Sequence, residues 1–152
     1  MRKLTVALIL CFPALVTPAN RPVVRAEYVG GTRDDIPVKN AGDIGVSDNV
    51  YFVFTSKQTK VKIPYDRINL LEYGQRVGRR YAEAVIISPL FMLAKKRQHF
   101  LTLGFEDDAG HQQAMVFRVD KSGIRVALVT LEARTGRQVT FQDEEARIAG
   151  KG

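Results

Sequence analysis

The stretch QHFLTLGFEDDAGHQQAMVFRVDKSGIRVALVTLEARTG, running from Gln98 to Gly136, decides the fold. In its first arm His99, Leu101, Leu103 and Phe105 alternate with Gln98, Thr102, Gly104 and Glu106, the period-two pattern of a half-buried strand, and Phe100 is the one misfit. Asp107-Asp108-Ala109-Gly110 then supplies turn residues and a glycine able to take positive φ. The second arm alternates Met115, Phe117 and Val119 against Ala114, Val116 and Arg118, which predicts an antiparallel hairpin. From Asp120 the period changes. Ile124, Ala127, Leu128 and Leu131 fall at the i, i+3, i+4, i+7 spacing of a helical face. Asp120 or Ser122 is placed to cap that helix, Arg134 suits its last turn, and Gly136 can close it in the left-handed conformation.

Upstream of the hairpin, short alternating segments recur at regular spacing. Tyr28 and Val29 with Gly30-Gly31-Thr32 suggest a first strand, after which Arg33-Asp34-Asp35, Pro37 and Asn40 mark a loop. Gly42 to Ser47 and Val50 to Thr55 read as two strands, with Val50, Phe52 and Phe54 on one face opposite Tyr51 and Val53. Lys60-Val61-Lys62-Ile63 alternates charge with apolar bulk, Pro64 ends it, and Arg67 to Tyr73 forms a fifth strand closed by Gly74. With the hairpin this makes about seven strands followed by one helix, the pattern of an antiparallel sandwich or barrel rather than of a parallel sheet.

The chain opens with Arg2 and Lys3 before an apolar run from Leu4 to Val16, and Thr17-Pro18-Ala19 provides small residues for cleavage after Ala19. These are the parts of a secretory signal peptide. The rival reading is an uncleaved anchor, yet a spanning helix needs roughly 20 apolar residues and Pro13 interrupts this shorter run. Cys11, the only cysteine, lies inside that apolar core, and the bulky Ile9 and Leu10 before it do not suit a lipidation site. A chain starting at Asn20 has no disulfide and no thiolate ligand. Lys and Arg number 23 against 16 Asp and Glu; without Arg2 and Lys3 the balance is 21 to 16, a modest formal charge of +5. Such an excess suits a solvated basic surface or an anionic membrane. The predicted organisation is a signal peptide over 1–19, a leader over 20–25, one barrel domain over 26–141 with an insert at 76–97, and a frayed polar tail over 142–152.

The order of elements resembles the pleckstrin-homology-like (PH-like) fold, a partly open antiparallel barrel plugged at one end by a C-terminal helix. More narrowly, the chain is similar to a family of small exported bacterial proteins of unknown function. That resemblance is carried by Tyr28-Val29-Gly30-Gly31-Thr32, Ile63-Pro64-Tyr65-Asp66, Leu71-Glu72-Tyr73-Gly74-Gln75, Ser88-Pro89-Leu90, Lys95 to Leu101, and Leu131-Glu132-Ala133-Arg134-Thr135-Gly136. It implies a fold and no activity. In phosphoinositide-binding members of the fold, cations cluster in the loop between the first two strands; here Arg33 and Lys39 share that loop with Asp34 and Asp35, so that site is not carried over.

The insert is the part the barrel pattern does not absorb. Arg76, Arg79 and Arg80 precede an apolar run from Ala84 to Ala94, and Lys95, Lys96 and Arg97 follow it. One reading is a cover lying across the barrel, its cations returning the chain to water. The other is a docking element, with Ile86, Ile87, Leu90, Phe91, Met92 and Leu93 entering a partner or an acyl boundary while Lys95, Lys96 and Arg97 meet anionic headgroups. On the helix, Val126, Val129 and Ala133 form a second apolar strip opposite the core face, which the insert or a partner chain could cover.

No G-x-S-x-G elbow, P-loop, H-E-x-x-H or mature-chain cysteine nucleophile occurs. His99 and His111 fall at opposite ends of the hairpin, too far apart to share a metal. The acidic pairs Asp34-Asp35, Asp107-Asp108 and Glu144-Glu145 read as solvated turns and tail, because neighbouring residues in extended chain point to opposite sides. No groove-sized basic helix or stacking motif suggests nucleic acid. The expectation is therefore a non-catalytic envelope interaction module without a cofactor, its partner a protein or an anionic membrane surface. The alternative is a small-ligand carrier or an enzyme with a site in the barrel mouth.

Overall fold

Strand pairing begins earlier than the sequence suggested. The computed structural model describes residues 22–76 and 97–151 together with the backbone of 86–87. Strand β1 (Val23–Gly31) starts inside the stretch expected as an exposed leader, because Val24 continues inward the alternation of Ala26 and Tyr28. It is followed by β2 (Asn40–Gly45), β3 (Tyr51–Ser56) and β4 (Lys60–Pro64) in an antiparallel meander, with Tyr28 opposite Asn40, Ile44 opposite Phe54, and Phe54 opposite Val61. Phe52, Phe54, Val61 and Ile63 point into the core while Lys60 and Lys62 stay exposed. A single 3-10 turn, Tyr65–Arg67, leads into β5 (Ile68–Gly74).

The deciding hairpin forms as read: β7 (His99–Glu106) and β8 (Gln112–Val119) pair in register from His99 opposite Val119 to Glu106 opposite Gln112, and Gly110 takes φ +81 in the turn. Leu101, Leu103, Phe105, Met115, Phe117 and Val119 face the core. The other face of the hairpin is not solvated, however. Phe100, Thr102, Ala114 and Val116 are buried as well, so these central strands are covered on both sides and Phe100 ceases to be a misfit.

Among the described residues nine strands form one sheet in the order β4-β3-β2-β1-β8-β7-β5-β9, where β9 is Thr140–Phe141 and the two-residue β6 (Ile86–Ile87) pairs with β1 off that path. The seven long strands are those expected; the two short ones are additions. β9 runs parallel to β5, with Glu72 opposite Thr140, so the sheet is mixed at this edge and not wholly antiparallel. The two ends of the order stay apart, and helix α1 (Ile124–Thr135) lies across the opening, touching β1, β5 and the 65–67 turn. The result is a partly open barrel capped by a C-terminal helix, compatible with the PH-like arrangement.

Inside, Phe117 is ringed by Tyr28, Phe52 and Phe54 at centroid distances of 5.9, 5.7 and 5.0 Å. Ile124, Ala127, Leu128 and Leu131 of α1 close this core from the side of the gap. β1 and β8 approach so closely at Gly31 that a Cβ there would lie 2.4 Å from the Ala114 carbonyl oxygen, which is why the position holds a glycine. The expected side-chain cap of α1 is absent: the N–H groups of Gly123 and Ile124 donate to the Asp120 backbone carbonyl at 3.0 Å, and neither the Asp120 nor the Ser122 side chain caps the helix. At the other end Gly136 takes φ +66 and its N–H donates to the Glu132 carbonyl, as its position predicted.

The tail expected to fray instead folds. Helix α2 (Glu144–Lys151) is capped by Asp143, whose Oδ1 accepts from the Ala146 N–H at 2.7 Å. Ala146 and Gly150 are buried, Gly150 lying close against the rings of Phe141 and Tyr73.

Candidate docking surface

Of the residues proposed from sequence for docking, Ile86 and Ile87 form β6, their backbone pairing with Gly31 and Gly30 of β1. Leu90, Phe91, Met92, Leu93, Lys95 and Lys96 lie outside the described residues. Arg97 is exposed, and its Nη2 lies 2.9 Å from Glu145 Oε2 at the start of α2. It borders a cleft of about 380 Å³ between Gln75 and Arg76 on one side and Asp143, Glu144 and Glu145 on the other. An ion pair this exposed contributes on the order of 0–1 kcal/mol to the fold.

The β1–β2 loop, where basic residues hold phosphates in some barrels of this shape, is neutralised from within. Arg33 donates from Nε and Nη2 to the two oxygens of Asp35, at 2.8 and 2.5 Å; this hydrogen bonding raises the Arg33 pKa and holds the Asp35 carboxyl below the usual range. A shallow groove of about 560 Å³ crosses the outer face of β3, β2, β1 and β8, but its charges are mixed: Arg25 and Lys57 sit with Asp43 and Asp120, and Arg118 is paired with Glu27. The two histidines are separated as expected. His99 Nδ1 and the Tyr73 hydroxyl share a hydrogen bond, whereas His111 stands exposed beside Asp107 at the turn. Among the described residues no three His, Cys, Asp or Glu side chains gather as a metal site, and no helix is long and apolar enough to cross a membrane.

What the described surface does offer is the outward side of α1. Val126 and Val129 are 48 % and 66 % exposed, and Ala133 continues the same strip one turn later. The inward face of the helix is fully used by the core, so this strip contributes nothing to closing the barrel. At its N-terminal end it meets β1: a cleft of about 340 Å³ joins Val126 to Pro22, Val23 and Val46, and Val23 is itself 56 % exposed. Arg125 and Arg134 of α1 and, just beyond its two ends in the sequence, Lys121 and Arg137 are exposed, and among the described residues none is in an ion pair; Lys121 lies near enough to His99 to act on its charge. By helical spacing Arg125 and Arg134 flank it on opposite sides. Three acids share the region: Asp120; Asp48, held below the usual carboxylate range by the Val50 and Tyr51 N–H groups and also by the Arg134 charge; and Glu132, whose carboxylate accepts from the Val139 N–H at 2.8 Å. The strip itself was legible from the 126, 129, 133 spacing; its junction with Val23 was not, because that depends on where β1 begins.

No family model matches this chain, and no curated protein matches it.

Proposed function

We propose that this chain is a non-catalytic, exported interaction module of the bacterial envelope, a PH-like barrel that docks a protein or a membrane through its surface. The observation that carries the reading is the two-sided α1 helix, whose inner face caps the barrel and whose outer face leaves Val126 and Val129 in solvent, with Arg125 and Arg134 exposed on either side. A helix apolar on two sides and buried on one is the form expected of an element with a second surface to cover. The basic start, apolar run and Thr17-Pro18-Ala19 end of residues 1–19 support export, and the likeness to small exported bacterial proteins supports an envelope setting.

Expression of the whole chain in a bacterial host, followed by fractionation and intact-mass analysis, tests this. A species beginning at Asn20 and sedimenting with envelope membranes is expected. A chain still carrying Met1 contradicts export with cleavage, and a cleaved chain free in the periplasmic fluid contradicts a docking role.

A further inference from the structure

We infer that the surface formed by Val126, Val129 and Ala133 of α1 together with Val23 of β1 docks on an anionic lipid bilayer. The inference rests on the reading of the chain as an envelope docking module and names its face and its partner.

Three features converge on that face. The first is shape: an exposed strip along one side of a twelve-residue helix, continued at its N-terminal end by Val23 across a shared cleft, gives an apolar line that can enter the headgroup boundary with the helix lying flat. The second is charge. Arg125 and Arg134 flank the strip on opposite sides, with Lys121 and Arg137 just beyond the helix ends, against Asp120, Asp48 near Arg134 and a Glu132 engaged with the Val139 N–H, so four cations stand against three acids around an apolar centre. Lys and Arg can lay their methylene stems beside Val126 and Val129 while their heads reach lipid phosphates. The third is the place where the chain enters the fold. The apolar run from Leu4 to Val16 ends only five residues, Thr17 to Arg21, before Pro22, which lines the same cleft as Val126. Five extended residues span at most about 18 Å. In a folded chain that still carries the apolar run in the bilayer, the cleft beside Val126 is thus held within that reach of the membrane surface.

The apolar line is short, so attraction to anionic headgroups carries much of the binding and salt weakens it. Phosphatidylglycerol and phosphatidylcholine vesicles distinguish charge-dependent docking from general adhesion.

Co-sedimentation of the chain from Asn20 to Gly152, which carries every described element, tests the inference. The wild type is expected to sediment with phosphatidylglycerol vesicles at low salt, to be released at high salt, and to remain free with phosphatidylcholine alone. V126S/V129S should weaken binding about tenfold by removing exposed apolar surface, with its melting temperature nearly unchanged. R125Q/R134Q should weaken it by at least about tenfold, each cation near an anionic surface being worth roughly fivefold. V126L/V129L should bind more tightly, an outcome that loss of folding cannot mimic. If the wild type fails to bind phosphatidylglycerol at low salt, the bilayer is not the partner; should envelope retention nevertheless persist in fractionation, the docking module stands with a protein partner. If binding occurs but is unaltered in all three α1 variants while K95Q/K96Q/R97Q abolishes it, the docking face lies on the insert and this assignment is overturned.

Discussion

His99 is the residue whose protonation the fold resists. Its ring stacks on Tyr73, with centroids 5.9 Å apart and planes 14° from parallel, and its Nδ1 shares a hydrogen bond with the Tyr73 hydroxyl. Burial lowers its pKa, and the nearby Lys121 ammonium lowers it further. A folded-state pKa below the ordinary histidine value near 6.5 means that the unfolded chain takes up the proton first. Stability contributed here is complete above about pH 6.5 and lost as pH falls through the lower folded value. His99→Gln should accordingly flatten the dependence of melting temperature on pH across that window while leaving the steeper loss at lower pH, where Asp35 and Asp107 are protonated; an unchanged slope contradicts this account. Alternation alone placed His99 in the core-facing row of β7. It could not supply Tyr73, whose position beside His99 follows from the register that sets Tyr73 opposite Leu101.

At the scale of elements, legibility followed the bulk of the side chains. The inner face of α1 was readable because Ile124, Leu128 and Leu131 are large and strictly spaced, and all three are buried. The face of α2 was missed because its inward residues are Ala146 and Gly150, which carry no hydropathy signal yet fit tightly against aromatic rings. Asp143 before Glu144-Glu145, with Lys151 in the last turn, was the one available clue, a cap and two ends matched to the helix dipole. The outer face of β7 was misread for another reason. Alternation is a signature of sheets solvated on one side, and strands covered on both faces lose it, as Phe100 and Val116 show. The folded tail leads to a prediction: a chain ending at Phe141 loses the Gln142-to-Glu72 hydrogen bond of 3.0 Å, leaves Glu72 buried without that partner, and uncovers Tyr73 and Phe141. Thermal unfolding should register a loss on the order of 2–4 kcal/mol. A frayed tail would register none.

In the whole molecule, the sheet order explains why one helix can cap the barrel and still present a surface. The seven long strands run from β4 through β1, β8 and β7 to β5, and α1 spans the opening between their two ends with its large aliphatic side chains inward. The seven long strands and the helix after them were accessible from the succession of alternating segments; the β1–β8 neighbours and the parallel β9 pairing were not, since alternation names no distant partner and a two-residue strand has no period to read. A plug of this kind has an outer side facing water unless something else covers it, and here that side holds valines framed by cations. The proposed function therefore depends on α1 having two faces. The most direct test compares adjacent residues, Leu128 at 4 % exposure and Val129 at 66 %, by thermal unfolding of Leu128→Asp and Val129→Asp in the chain from Asn20. Leu128→Asp should cost several kcal/mol, because it places an unpaired carboxylate in the capped core, while Val129→Asp should shift stability by only a few tenths. Equal losses in the two variants, or a larger loss at Val129, would contradict the two-faced helix and with it the docking surface.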